Sequence, residues 1–230
     1  MEKTTGAVKI DAAPEKRRDD GAAHFPLMIS MKEKNIVIIG GGEVAYHKAS
    51  LLAPYSGSIT VLSEEFSEKF DGLDVKKIVA RGADIKALLG KPFLVICATD
   101  DNELNNEIMV HCRRNGILCN NVDVLDSDVY FGSMIKAGTL TISISTNGLS
   151  PTMARFTKET LTGALNRSFR EMLGIQTELR TELRHSIQDM RKRKEALDSI
   201  VYDPEIWSLL DDGKTKQAKE LAVRKLGEHQ

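Results

Sequence analysis

Asn35-Ile36-Val37-Ile38-Ile39 is a short, largely β-branched apolar run that stops at Gly40-Gly41-Gly42. Continuous apolarity at that length predicts a strand buried on both faces of a parallel sheet. From Glu43 to Leu52 the period changes, and Val44, Ala45, Lys48, Leu51 and Leu52 recur at helical spacing. The alternation then repeats. Ser58–Leu62 and Val75–Val79 read as strands, Ile85–Leu89 as a short helix and Pro92–Ala98 as a fourth strand. Asn102–Asn115 reads as a helix capped by Asp100 or Asp101, and Ile117–Cys119 as a fifth strand. Strands and helices alternating through short loops predict an α/β fold with a doubly wound parallel sheet. Ligands of such sheets sit at the carboxyl ends of the strands, and the Gly40 turn, Ser63, Thr99 and Asn120 all fall on that edge.

The second half of the chain has a different texture. Leu140-Thr141-Ile142-Ser143-Ile144-Ser145 alternates with period two and predicts a strand. Thr146-Asn147-Gly148-Leu149 is a polar turn, and Ser150-Pro151 supplies an N-cap and a first helical residue. Leu161, Leu165, Phe169, Met172, Leu179, Leu183, Ile187, Met190 and Leu197 then step mostly by three, four or seven. That stripe predicts amphipathic helix over residues 151–199, broken near Gly163 or Gly174. Tyr202-Asp203-Pro204 marks a stop, with shorter helices expected over 204–211 and 214–226.

Composition narrows the class. The chain has 230 residues, room for one or two domains. It is 41% hydrophobic and 28% charged, which excludes a disordered or collagen-like chain. Lys plus Arg number 32 and Asp plus Glu 33, so no overall basic excess calls for nucleic acid. No apolar run reaches the ~18 residues of a membrane span. Cys97, Cys112 and Cys119 are an odd number without C-x-x-C spacing, which argues against a disulfide framework or a cysteine zinc site and points to a reducing cytoplasm. Residues 1–23 mix five acids with five bases without periodicity and read as a flexible arm. His24, His47, His111, His185 and His229 are scattered, with no metal-binding spacing.

Gly40, Gly42 and Ala45 match G-x-G-x-x-G/A, following a strand and opening a helix. Gly40 permits the tight turn, Gly42 lets backbone approach a pyrophosphate, and Ala45 lets helix lie close on strand. The helix N-terminus, with Glu43 and Val44, offers N–H groups and a positive dipole end to phosphate. Candidate cofactor residues are therefore Gly40, Gly41, Gly42, Glu43, Val44, Ser63, Glu64, Glu65, Thr99 and Asp100. Glu64 stands about 20 residues past the glycines, where an acid bonds the adenine ribose and disfavours a 2′-phosphate, which favours NAD over NADP. The competing reading is that Glu64 and Glu65 cap the next helix.

Four stretches carry a more specific resemblance: IVIIGGGEVAYHKASLL, ICATDDNELNNEI, GILCNNVD and LTISISTNGLSPTMARFTKETL. Together they resemble the precorrin-2 dehydrogenases of siroheme synthesis, some of which are also sirohydrochlorin ferrochelatases. The resemblance implies NAD-dependent oxidation of precorrin-2 to sirohydrochlorin, with Fe²⁺ inserted afterwards by some members. It also implies a homodimer in which a middle segment crosses between subunits. The organisation expected is a flexible arm (1–23), a Rossmann-type NAD-binding domain (24–121), a dimerisation and cleft segment (122–150) and a helical C-terminal domain (151–230).

By the same resemblance Asp123, in Asn120-Asn121-Val122-Asp123, is the catalytic carboxylate, acting as base. Dehydrogenation releases a proton along with the hydride, and a carboxylate can take it; read from the residues alone, Asp123 ends a strand and caps a turn. Asn120, Thr146, Asn147, Gly148 and Ser150 are implied to line the tetrapyrrole cleft. Residues 151–194 carry ten Lys/Arg against five Asp/Glu. Arg155 and Lys158 are the candidates for the substrate's carboxylates, while Arg191-Lys192-Arg193-Lys194 reads as a solvated face. Many relatives have Cys-Asp-Phe where Ser127-Asp128-Val129 stands, so the pocket wall departs from the pattern there, and Asp126 and Asp128 become secondary acids or loop charges. Two non-enzymatic readings compete: an NAD-sensing regulatory module and a tetrapyrrole carrier. The Asn120–Asp123 and Thr146–Arg155 runs argue against the first; turnover separates the enzyme from the second.

Overall fold

The computed structural model describes residues 24–227; the expected arm over 1–23, and His229, lie outside the described residues. Chain contacts divide the protein into two compact units, one ending at Tyr130 and the other beginning at Phe131.

The first unit is a five-stranded parallel sheet in the order β3-β2-β1-β4-β5. Its strands are β1 (Ile36–Ile39), β2 (Ile59–Ser63), β3 (Lys76–Val79), β4 (Leu94–Cys97) and β5 (Leu118–Asn121). The helices are α1 (Glu43–Leu52), α2 (Gly82–Leu88) and α3 (Asn102–Arg114). β1 and β4 are buried at every position, as their unbroken apolarity requires. Ile36, Ile38, Ile39 and Ile96 are among the most completely enclosed side chains, each contributing on the order of 1.5–3 kcal/mol of burial. β3 is an edge strand, and its exposed Lys76 and Lys77 discourage further pairing.

The other edge is closed by the chain itself. Asp128 and Val129 donate their N–H groups to the Cys119 carbonyl at 3.0 and 3.3 Å. The Asp128 carboxylate accepts from the Cys119 N–H at 3.1 Å. β5 therefore runs two residues further than its apolar run suggests, and takes in Asn120 and Asn121, both buried.

The chain builds β1, β2 and β3 to one side, then crosses over to lay down β4 and β5 on the other. β1 and β4 are neighbours in register Ile36↔Leu94 through Ile39↔Cys97. Their carboxyl ends are the switch point where such sheets bind ligands.

The second unit opens with a hairpin of β6 (Ser133–Ala137) and β7 (Leu140–Ile144). β6 is absent from the sequence reading because only Met134 and Ile135 are large and apolar. Its marker is the two-residue turn, where Gly138 adopts φ 59°. Helices follow at α4 (Pro151–Ala164), α5 (Arg167–Ser186), α6 (Met190–Val201), α7 (Pro204–Asp211) and α8 (Thr215–Gly227). α4 packs on the hairpin through Leu161 and Leu165, while Met172, Leu179, Ile200, Ile206 and Leu210 share a core among α5, α6 and α7.

The first break in the long stripe falls at residues 165–166, beside Gly163 as expected, whereas Gly174 lies within α5 and a second break falls at residues 187–189. The breaks fall where a capping side chain starts the next helix. Asn166 accepts from the Phe169 N–H at 2.9 Å, and Asp189 from the Arg191 N–H at 2.8 Å. Arg193 donates to the Ile187 and Gln188 carbonyls, so one member of the basic run caps the end of α5.

Candidate functional site

A cleft of about 780 Å³ opens at the switch point, lined by Gly40–Gly42, Ser63–Ser67, Thr99–Asp101 and Leu104. The three glycines play different parts. Gly40 has φ 114°, and an ideal Cβ there would lie 2.2 Å from the Ala98 carbonyl oxygen. A Cβ on Gly41 would lie 1.9 Å from the Glu65 carbonyl oxygen. Both positions are closed to any side chain by neighbouring backbone. Gly42 is the reverse, since a Cβ there meets nothing within 4 Å. It is also the N-cap of α1 and supplies no side chain to the helix's first N–H groups. Open space and unclaimed donors at one point suit a pyrophosphate, so the residues present fit a dinucleotide. Ala45, wholly buried, brings α1 close to the sheet.

Ser63, Glu64, Glu65, Thr99 and Asp100 line the cleft as expected, but the side chains of Glu43 and Val44 do not. The Glu43 carboxylate turns to Lys69 Nζ at 2.6 Å and His47 Nε2 at 3.0 Å. The hydrogen bond from Lys69 holds its carboxyl below the usual range. Val44 is exposed. Only their backbone N–H groups at the start of α1 remain as candidates. The helix-capping reading of Glu64 and Glu65 is overturned, because Ser67 caps the following 3-10 turn, accepting from the Lys69 N–H at 3.4 Å. Glu64 instead pairs with Arg81 Nε at 3.2 Å, both side chains largely solvated. Nothing in the sequence pattern pointed to Arg81.

Asp123 lies just past β5, exposed, in the same unit as the cleft. Its Oδ2 accepts from Asn105 Nδ2 at 2.8 Å, and its N–H donates to Asn121 Oδ1 at 3.1 Å. Oδ1 has no hydrogen-bond partner among the described residues. Below it, the hydrogen bond to Cys119 and burial push the Cys97 thiol far above the usual range, with the Asp123 charge acting in the same direction. The three cysteines are free and buried.

Asp126 and Asp128 are both engaged by Arg113, at 3.1 and 3.6 Å, and so read as loop anchors. Asn120 is 5% exposed and its Nδ2 donates to the Val129 carbonyl at 2.8 Å. That bond ties it to the loop after β5, while its Oδ1 is buried without a hydrogen-bond partner among the described residues. Val129, at the position of the missing aromatic, is half-buried and contributes backbone bonds.

Thr146, Asn147, Gly148, Ser150, Arg155 and Lys158 belong to the second unit. Asn147 and Gly148 have φ 52° and 77°, and Leu149 N–H closes the turn on the Thr146 carbonyl at 3.0 Å, as two left-handed central residues require. Ser150 accepts from the Met153 N–H at 3.4 Å, with Pro151 at the first turn, as predicted. Arg155 and Lys158 are exposed and form no ion pair among the described residues.

The fold and cleft define a dinucleotide-binding protein of the Rossmann class. A family profile described as NAD(P)-binding matches residues 27–133. A precorrin-2 dehydrogenase of Methanosarcina barkeri is 34% identical over 204 residues, covering 85% of this chain and 90% of that one. A siroheme synthase of Psychrobacter sp. is 27% identical over 206 residues, 88% of this chain but only 42% of its own length. The solved structure of SirC, a precorrin-2 dehydrogenase, superposes with a TM-score of 0.75 over 89% of this chain and all of that one, at 18% identity. The chain belongs to the precorrin-2 dehydrogenase family.

The glycines make separable predictions. Gly41→Ala should cost ~1–3 kcal/mol, because overlap with the Glu65 carbonyl must be relieved by moving backbone. Gly42→Ala should stay within about 1 kcal/mol of wild type, the loss of a weak cap, yet weaken NAD binding at least about tenfold. Denaturant melts and NAD titrations on the two variants check this contrast. Glu64→Gln should tighten NADP about tenfold relative to NAD by removing a carboxylate that repels the 2′-phosphate and by freeing Arg81. Calorimetric titration with both nucleotides measures it.

Proposed function

We propose that the chain catalyses NAD-dependent dehydrogenation of precorrin-2 to sirohydrochlorin in siroheme biosynthesis, with Asp123 as the base. The observation that carries the reading is the placement of Asp123. An exposed carboxylate with one oxygen unclaimed is tied through Asn105 to Thr99 on the rim of the dinucleotide cleft. Family membership supplies the substrate class.

NAD, when bound, supplies the hydride acceptor. The protein's residues do the rest. The first N–H groups of α1 hold phosphate, the Glu64 carboxylate accepts from ribose hydroxyls, and the Thr99 rim fixes the end of the cleft beside β5. Asp123 Oδ1 takes the proton that leaves the macrocycle when the new double bond forms. Arg155 and Lys158, cationic and without an ion pair among the described residues, are the candidates for the substrate's carboxylates, and the Thr146–Ser150 turn is the polar segment that the family resemblance implies for its binding.

The assignment extends to assembly. Met153 and Phe156, three apart at the start of α4, are 52% and 59% exposed, and Leu149 in the turn before it is 79% exposed. Exposed apolar side chains of this kind are consistent with a homodimer, in which the family resemblance implies that a segment from about Val122 to Ile144 crosses between subunits. Three free thiols favour a reducing cytoplasm, and among the described residues no helix is long and apolar enough to cross a membrane. Where family members insert Fe²⁺ into sirohydrochlorin, the ion is a substrate and not a resident cofactor. Among the described residues no group of three His, Cys, Asp or Glu is arranged to hold a metal.

With precorrin-2 generated in situ, the wild-type protein should form NADH, read at 340 nm. Asp123→Asn should bind NAD as wild type does while turnover falls about 10²–10⁴-fold, the usual range for loss of a positioned base. Binding of the macrocycle without NADH formation by the wild-type protein would identify a carrier instead, and normal turnover by Asp123→Asn would remove the carboxylate from the reaction.

A further inference from the structure

Asn105 is a polar side chain where α3 should be apolar. Leu104, Ile108, Met109 and Cys112 form the inward face of this helix, and Asn105 lies among them with no exposed surface. A buried amide is costly unless both ends are bonded. Here both are. Nδ2 donates to the Thr99 carbonyl at 2.9 Å and to Asp123 Oδ2 at 2.8 Å. Oδ1 accepts from the Thr99 hydroxyl at 2.7 Å and the Thr99 N–H at 3.4 Å. This orientation of the amide is set by chemistry. Reversing it would aim an oxygen at a carbonyl and a carboxylate, neither of which can donate.

The four bonds join two segments that nothing in sequence brings together, the end of β4 at the cleft and the turn after β5. The next residue strengthens the link, since Asn106 Oδ1 accepts from Asn121 Nδ2 at 3.1 Å. Asn121 in turn accepts from the Asp123 N–H. Two adjacent amides of α3 thus hold the Asn121–Asp123 turn, one by its strand end and one by its carboxylate.

The geometry points to Asn105 as the positioning residue for Asp123. It fixes one carboxylate oxygen by a donated hydrogen and leaves the other without a hydrogen-bond partner among the described residues. It also anchors that carboxylate to Thr99, so the base and the cofactor rim share one rigid reference. This inference rests on the reading of Asp123 as the base, and adds that the base's orientation is set from α3. Misplacing a reacting group by about 1 Å can cost on the order of 10²-fold, so the effect belongs in kcat.

The test is a double-mutant cycle on NADH formation. Asn105→Asp keeps the shape of the side chain and the acceptor for Thr99 but loses both donated hydrogens, and Asn105→Ser is a second, uncharged variant. Each should lower kcat at least about tenfold while KM for precorrin-2 and the dissociation constant for NAD change less than about threefold. In the Asp123→Asn background the same substitutions should cost nothing further. Equal losses in both backgrounds, or wild-type kcat in both variants, would overturn the positioning role and leave the base assignment standing. If Asp123→Asn alone turned over normally, the base assignment and the role of Asn105 would fall together.

Discussion

Two backbone carbonyls, those of Ala98 and Glu65, press on the turn after β1 so closely that only hydrogen fits between. The approach at Gly40 is the price of pairing β1 with β4 through their full length: the chain must leave the sheet at once, with φ 114°, across the end of its neighbour. The approach at Gly41 follows from β2, whose continuation over residues 63–67 folds back until Ser67 N–H bonds the Gly41 carbonyl at 2.8 Å. With the first two glycines consumed by the sheet, the third is left facing open space at the start of α1. The open space beside Gly42 is therefore a consequence of strand packing, and the remaining cleft is arranged around it.

On the far side of the switch point, polarity takes over from packing. β4 ends at Thr99 and β5 at Asn121, and between them the inward face of α3 presents Asn105. A hydrophobic residue there would have given a better core. The amide instead converts a strand end and a loop into one hydrogen-bonded unit, and the loop beyond is fastened in the same way through Asp128, Ser127 and Arg113. Ser127 Oγ, nearly enclosed, accepts from the Asn121 N–H and donates to the Asn121 carbonyl, each at 3.0 Å. Buried polar networks of this sort tend to specify one arrangement when fully satisfied, which suits a carboxylate that must hold its aim while remaining exposed.

Much of this was legible in the chain. Ile36–Ile39 and Glu43–Leu52 are local signals, a short apolar run and a helical period, and the structure reproduces both spans. The glycine turn was legible as a motif, though not the division of labour within it, because the pressure on Gly41 comes from residues 63–67. The family-specific runs marked Asp123 and the A-T-D-D-x-x-L-N segment, yet the role of Asn105 inside that segment stayed hidden. Asn105 is the last fixed position of that run, and the physical trace of its role is a polar residue at a buried phase of an amphipathic helix. Arg81 and the sequestering of Glu43 by Lys69 were invisible for the same reason: each is a contact between elements distant in sequence. In the second unit, the break expected near Gly163 falls at Asn166, whereas the break at Asp189 went unread, although its capping side chain announces a helix start.

The most direct measurement is an NMR titration of the full chain with NAD, following backbone amides and the Asn105 side-chain amide. Binding across the glycine turn predicts saturable shifts at Gly42, Ser63 and Thr99, carried through the hydrogen bonds to the Asn105 amide. Shifts confined to the outer groove of α3, around Glu107 and His111, with Gly42 and Thr99 unmoved, would contradict it.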